Sequence, residues 1–219
     1  MSQVLMLIYQ RLYDSFGPRG WWPGDSPFEV IVGAILTQNT LWGNVEKAIA
    51  RLKKDNLLHP EKLYSIEEPL LAETIRSAGY YNIKARRLKQ FIGFLFGEYE
   101  GDLSLMFSEN IDLLRDKLLG INGIGPETAD SILLYAGYKP VFVVDAYTKR
   151  VFSRHNFISD NCTYYEIQNL FMKNLPKDVE LYNEYHALIV HLGKNFCKRR
   201  PTCTHCPISS SEFYVENPL

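Results

Sequence analysis

One stretch limits the possible folds of this chain more than any other: Leu118-Leu119-Gly120-Ile121-Asn122-Gly123-Ile124-Gly125-Pro126-Glu127-Thr128-Ala129-Asp130. Glycine tolerates left-handed backbone and lets a second molecule come close to the main chain. Proline suits the first position of a helix. The stretch therefore reads as a helix ending near Leu119, a tight turn over Gly120, Gly123 and Gly125, and a second helix opened by Pro126. Main-chain amides at such a turn form a place for an anion such as a phosphate. A plain turn with glycine caps is the simpler alternative, but it does not call for Ile121 and Ile124, apolar and turned inward.

The rest of the chain is written in helical signals. Ser26-Pro27-Phe28-Glu29 is a capping box with proline at the first helical position, and Ser65 to Glu68 and Thr163 to Glu166 repeat its spacing. Asn110 can cap the segment carrying Ile111, Leu114 and Leu118. Apolar residues at helical spacing over 45–52 and 83–96 predict two more helices, and 178–193 a long one. Val141-Phe142-Val143-Val144, after Pro140, resembles a strand, but four residues do not separate a buried strand from the lead-in to a helix. With nine or ten helices expected and no strand-turn-strand pattern, the expected class is all-α.

Composition narrows the function. The chain has 219 residues, enough for one large domain or two small ones, and 46% hydrophobic with 22% charged residues excludes a disordered chain. A net charge of −1, from 24 basic and 25 acidic residues, does not by itself point to nucleic acid, although basic side chains can still share one face. The apolar run Val4–Tyr9 is too short for a membrane span and has neither the flanks nor the cleavage site of a signal peptide, so a cytoplasmic protein is expected. Three of the four cysteines, Cys197, Cys203 and Cys206, crowd into ten residues near the C-terminus. That crowding suggests a metal or cluster site rather than a disulfide framework.

Asp145 follows four apolar residues directly. An acid so placed is partly buried, and buried acids are rare unless paired or working. It can also simply cap a helix over 146–154; the two roles are compatible.

The glycine hairpin followed by Val143-Val144-Asp145 resembles the helix-hairpin-helix DNA glycosylases of the endonuclease III superfamily. Leu36-Thr37-Gln38-Asn39-Thr40, Gly79-Tyr80-Tyr81-Asn82-Ile83-Lys84-Ala85 and the terminal cysteines add to the likeness, which runs from about Trp21 to Cys206. The resemblance implies two helical domains with a DNA-binding cleft between them. One is a six-helix bundle over 27–135 containing the helix-hairpin-helix at about 110–135. The other combines 1–26 with 136–219 and ends in the Cys-rich loop 197–206. It implies a monomer acting on damaged double-stranded DNA, in the nucleoid of a prokaryote. Asp145 matches the family's catalytic aspartate, which stabilises the oxocarbenium-like sugar and helps align or deprotonate water while the nucleotide is flipped out. Gln38 and Asn39 match side chains that fill the vacated stack. Gly123, Ile124 and Gly125 match the hairpin amides that hold a phosphate. Lys84, with Arg86, Arg87 and Lys89, is placed to add phosphate contacts or to form a solvated face.

Two departures from the family matter. Members that also cut the strand carry a lysine two residues after the last hairpin glycine. Here that residue is Glu127, and a carboxylate forms no Schiff base. The expected enzyme is monofunctional and leaves an abasic site. The family's [4Fe–4S] loop has four cysteines with six residues in the first gap and five in the last. Here the first gap is five, and the residue six after Cys206 is Glu212. Glu212, a serine of 209–211, His205 or Cys162 is then needed as fourth ligand; zinc on three cysteines with His205 or His191, or no metal, are the alternatives.

Trp21-Trp22-Pro23 and Trp42 resemble the 3-methyladenine glycosylase branch, where a tryptophan and another aromatic residue sandwich the base. By that resemblance Trp21 and Trp42 stack on the base, Trp22 and Pro23 wall the pocket, Glu127 lies in it, and Gly193-Lys194 matches a further feature of the branch. Tryptophan faces attract cations, and 3-methyladenine is cationic; ordinary core packing is the plainer use of the three rings. The competing readings are a glycosylase for oxidised or mismatched bases, a non-catalytic helix-hairpin-helix DNA-binding protein, and an iron–sulfur electron carrier.

Overall fold

The computed structural model describes residues 1–215. The chain forms two compact units, Met1–Trp22 together with the chain from Pro140 onward, and Pro23–Lys139. The described residues are helical, without strands: α1 (Ser2–Phe16), α2 (Pro27–Leu36), α3 (Trp42–Lys54), α4 (Pro60–Ser65), α5 (Glu68–Thr74), α6 (Tyr81–Tyr99), α7 (Leu103–Ser108), α8 (Ile111–Leu119), α9 (Pro126–Ser131), α10 (Ala146–Arg154), α11 (Tyr164–Asn174) and α12 (Val179–Asn195). No helix among them is long and apolar enough to cross a membrane.

Local chemistry accounts for most of the helix starts. Ser26 accepts from the Glu29 amide to open α2, and Asn110 accepts from Asp112 and Leu113 to open α8. Thr163 and Glu166 form a complete reciprocal capping box at α11. The Ser65 box does not form. Ser65 is the last residue of α4, Ile66 and Glu67 are extended, and α5 starts at Glu68 with Pro69 in its first turn. Pro69 opens that turn without any cap from Ser65.

In the unit Pro23–Lys139, α2 is buried from Phe28 to Leu36 and packs against α3, α6, α9 and the π-helical turn Ile132–Ala136. Burial leaves the carbonyls at its C-terminal end without water. Lys84 of α6 meets that need. Its side chain is 1% exposed, and its ammonium donates to the carbonyls of Leu36 (2.8 Å) and Ala78 (2.7 Å). Desolvation, with some repulsion from Arg87, lowers its pKa from 10.5 to about 8. Lys89 serves α4 in the same way, donating to Leu63, Tyr64 and Ile66.

The core of the other unit is aromatic. Phe142 stacks on Phe171 at 3.9 Å between centroids, with the edges of Tyr182 and Tyr185 against it. Val141–Val144 are all buried but form no strand. The Phe142 carbonyl is satisfied instead by the Gln168 amide of α11 at 2.7 Å. The Tyr185 hydroxyl donates to Leu5 and ties α12 to α1.

Lys84→Met is expected to destabilise the protein by about 2–4 kcal/mol in urea unfolding at pH 7, because two buried carbonyls lose a charged donor. The folded state releases the Lys84 proton near pH 8 and the unfolded chain near 10.5. Between those values the unfolded chain binds more protons, so this group makes stability rise with pH. The rise is expected in the wild-type protein and absent in the variant.

Candidate active site

Asp145 stands at the head of α10 as its N-cap. Its Oδ1 accepts the Thr148 amide (2.7 Å) and the Thr148 hydroxyl (2.9 Å). Its Oδ2 faces Nε2 of His186 on α12 at 3.6 Å, with the two side chains 12% and 5% exposed. Burial pushes the Asp145 carboxyl up, but His186 and the two Thr148 hydrogen bonds outweigh it and hold the group below the usual range. A charged carboxylate is thus kept in a nearly closed environment, with one oxygen committed to the helix and the other facing His186.

The packing of α10 on α12 sets that geometry. A Cβ at Gly193 would lie 2.5 Å from Cδ1 of Tyr147, so the missing side chain admits the Tyr147 ring. One and two turns further along α10, Arg150 donates to the carbonyls of Gly193 (2.9 Å) and Cys197 (2.8 Å). Arg154 donates to the carbonyls of Lys198 (2.6 Å) and Arg199 (3.1 Å) and to Sγ of Cys197 (3.3 Å). Arg150 satisfies one carbonyl in the last turn of α12, and the two arginines together fix the start of the Cys-rich loop.

In the other unit the hairpin links α8 and α9 as the glycine pattern predicts. Ile121 and Ile124 are buried, and Gly123 is left-handed at φ +91. A Cβ there would also fall 2.6 Å from the Arg87 side chain. Gln38 braces the turn. Its Nε2 donates to the Gly123 carbonyl (3.0 Å) and the Thr128 hydroxyl (2.8 Å), while its Oε1 accepts from Arg87. Asn39 beside it is exposed and left-handed at φ +52. Glu127 is exposed in the first turn of α9. The inward course of Lys84 corrects the expectation of a surface phosphate contact: the main chain of α2 takes its ammonium.

Trp21 and Trp22, both half-buried, meet edge to face at 5.4 Å, and the Lys194 ammonium stands 5.8 Å from the Trp21 ring centroid. Trp42 is the first residue of α3 and is half-buried; Pro23 is exposed. The cysteine loop does not assemble the expected metal site. Cys197 is buried, Cys203 exposed and Cys206 half-buried, its thiol pushed up by burial and by the two neighbouring cysteines. Glu212 accepts from Ser210 and pairs with Arg11. Cys162 is buried beside Ser159. Among the described residues no three Cys, His, Asp or Glu side chains converge into a metal-holding group. These residues do not fit a four-thiolate cluster.

The sequence profile of the HhH-GPD superfamily, base excision DNA repair proteins, matches residues 32–177, a span that contains both the hairpin and Asp145. The chain belongs to the HhH-GPD superfamily. It is 51% identical over 208 residues to a Methanocaldococcus jannaschii protein named "Putative DNA repair glycosylase MJ1434", covering 94% of each chain. It is similar to the structure of H. pylori 3-methyladenine DNA glycosylase (MagIII) bound to 1,N6-ethenoadenine, with TM-score 0.74, 31% identity and coverage of 88% of this chain and 96% of that one. A trapped endonuclease III–DNA covalent intermediate matches with TM-score 0.81, 25% identity and coverage of 94% and 93%. The protein is a DNA glycosylase of the HhH-GPD superfamily.

Several residues around Asp145 and beside the Gln38 and Lys84 motifs gave little signal in the sequence. Thr148 was legible in principle, three residues after an N-cap acid. His186 was not, because nothing in α12's apolar spacing separates it from a core histidine. Arg150 and Arg154 look like a solvated helix face. Tyr80, left-handed at φ +46 and 70% exposed, and Leu41, 78% exposed, are apolar side chains left in solvent beside the Gln38 and Lys84 motifs.

Gly193→Ala is expected to cost about 1–3 kcal/mol in urea unfolding, because the added methyl meets the base of the Tyr147 ring rather than a flexible tip.

Proposed function

We propose that the protein is a monofunctional glycosylase that hydrolyses the N-glycosidic bond of a flipped-out alkylated purine, 3-methyladenine foremost, and leaves an abasic site. The observation that carries the substrate class is the Trp21 ring, paired with Trp22 and already facing the Lys194 cation. A ring face that attracts an ammonium also suits a cationic methylpurine. Such a base is already a good leaving group and needs a stacking face more than an acid. The likeness to the H. pylori 3-methyladenine glycosylase supports the same class.

Asp145 carries the chemistry in this reading. As the bond breaks, the sugar becomes an oxocarbenium-like cation, and a carboxylate held in its charged form lowers the energy of that state. The same group orients the attacking water, or accepts its proton. Trp21 and Trp42 are the stacking rings, with Trp22, Pro23 and Glu127 completing the pocket, by likeness to the 3-methyladenine branch. Asn39, with Gln38, supports the emptied stack, and the amides of Gly123, Ile124 and Gly125 hold a phosphate. Glu127 at the lysine position of strand-cleaving relatives supports hydrolysis without β-elimination.

Incubation with methylated duplex DNA is expected to release free 3-methyladenine, identified by chromatography, with strand breaks only after alkali. Asp145→Asn is expected to lower the single-turnover rate by about 10²–10⁴-fold. Trp21→Ala and Trp42→Ala are each expected to weaken excision by about 10-fold or more, at ~1–3 kcal/mol per lost stack. Breaks before alkali overturn the monofunctional assignment; absence of released methylpurine overturns the substrate and redirects the search to oxidised and mismatched bases.

A further inference from the structure

His186 has no part in the cap that Asp145 forms. That cap is complete with Oδ1 alone, which already accepts two hydrogen bonds from Thr148. Yet the buried imidazole of His186 is aimed at the remaining oxygen, Nε2 to Oδ2 at 3.6 Å. His186 and Gly193 lie seven residues apart, two turns along one face of α12. That face meets α10, where the Tyr147 ring fills the space over Gly193 and Arg150 bonds its carbonyl. Helix packing therefore sets the approach of His186 to Asp145; no loop has to close to make it.

We infer that His186 is a positioning residue for Asp145, holding Oδ2 in the orientation from which the carboxylate faces the developing sugar cation and the attacking water. The physical reason is the rotation of a carboxylate about its Cβ–Cγ bond. With Oδ1 anchored on the amide and hydroxyl of one residue, a second partner at Oδ2 removes the remaining swing, as outer partners orient reactive groups elsewhere. An imidazole also places a donor beside the oxygen that carries the charge. The lowered pKa of Asp145, to which His186 contributes, agrees with a carboxylate kept charged for this use. This inference rests on the glycosylase reading above, with Asp145 as its carboxylate.

The test separates chemistry from binding. Wild type, His186→Leu, His186→Gln and His186→Asn are compared in single-turnover base release from methylated duplex DNA and, in parallel, from duplex DNA carrying oxidised pyrimidines. Affinity for a duplex with a tetrahydrofuran abasic analogue, and the melting temperature, are measured alongside. His186→Leu is expected to slow release about 10- to 100-fold with unchanged affinity for the analogue. His186→Gln is expected to restore most of the rate, because its amide nitrogen falls where the imidazole Nε2 stood. His186→Asn, polar but too short to reach Oδ2, repeats the loss if leucine disturbs the fold. Release by His186→Leu at the wild-type rate overturns the inference alone. So do rate, affinity and melting temperature falling together, or glutamine as slow as leucine. No base released by the wild-type protein from either substrate overturns the glycosylase chemistry and this role together.

Discussion

Oδ1 of Asp145 accepts both polar hydrogens of Thr148, and the arrangement of α10 follows from that start. The cap fixes where the helix begins. The helix then presents Tyr147, Arg150 and Arg154 along one side, toward α12 and the loop after it. A misplaced first turn would move the Tyr147 ring off Gly193 and the two guanidinium groups off five acceptors. The second oxygen of the residue that starts the helix faces His186 of α12. A capping carboxylate contributes about 1 kcal/mol to stability, and here it does so through Oδ1 alone.

The other unit depends on long polar side chains that reach into an apolar bundle. Helix α2 is buried from Phe28 to Leu36, so the carbonyls at its buried end call for donors from the protein. Lys84 and Lys89 bring ammonium groups to such carbonyls from α6, and Gln38 carries the same logic to the hairpin. Asp130 of α9, fully buried, takes a bidentate bond from Arg115 of α8 at 2.6 and 2.9 Å. Breaking a buried pair of this kind leaves an uncompensated charge and is costly. The hairpin is thus held from both of its helices.

The cysteine loop is held by contacts of its own main chain and apolar side chains, with no metal-holding group among the described residues. Arg150 and Arg154 hold its first turn, and Ile208 and Phe213 are buried further along. His155 and Asn156 at the end of α10 bond the carbonyls of Phe213 and Val215. Main-chain and apolar contacts therefore order this segment, with Glu212 spent on Arg11 and Ser210.

Features that depend on neighbours in the chain were legible from the sequence alone. The caps at Ser26, Asn110 and Thr163, the glycine turn at 120–125 and the place of Asp145 at a helix start all rest on bonds spanning two to four residues. Ser65 failed even locally, since the same S-x-x-E spacing serves a helix end when proline opens the next turn. What the tertiary structure alone decided is the use of polar side chains whose partners are distant: Lys84 turned inward to Leu36, Gln38 joined to Gly123 and Thr128, and His186 set against Asp145. Residue type and spacing are the same whether such a side chain meets solvent or a buried partner. Only the packing of one helix on another removes the water and makes the difference.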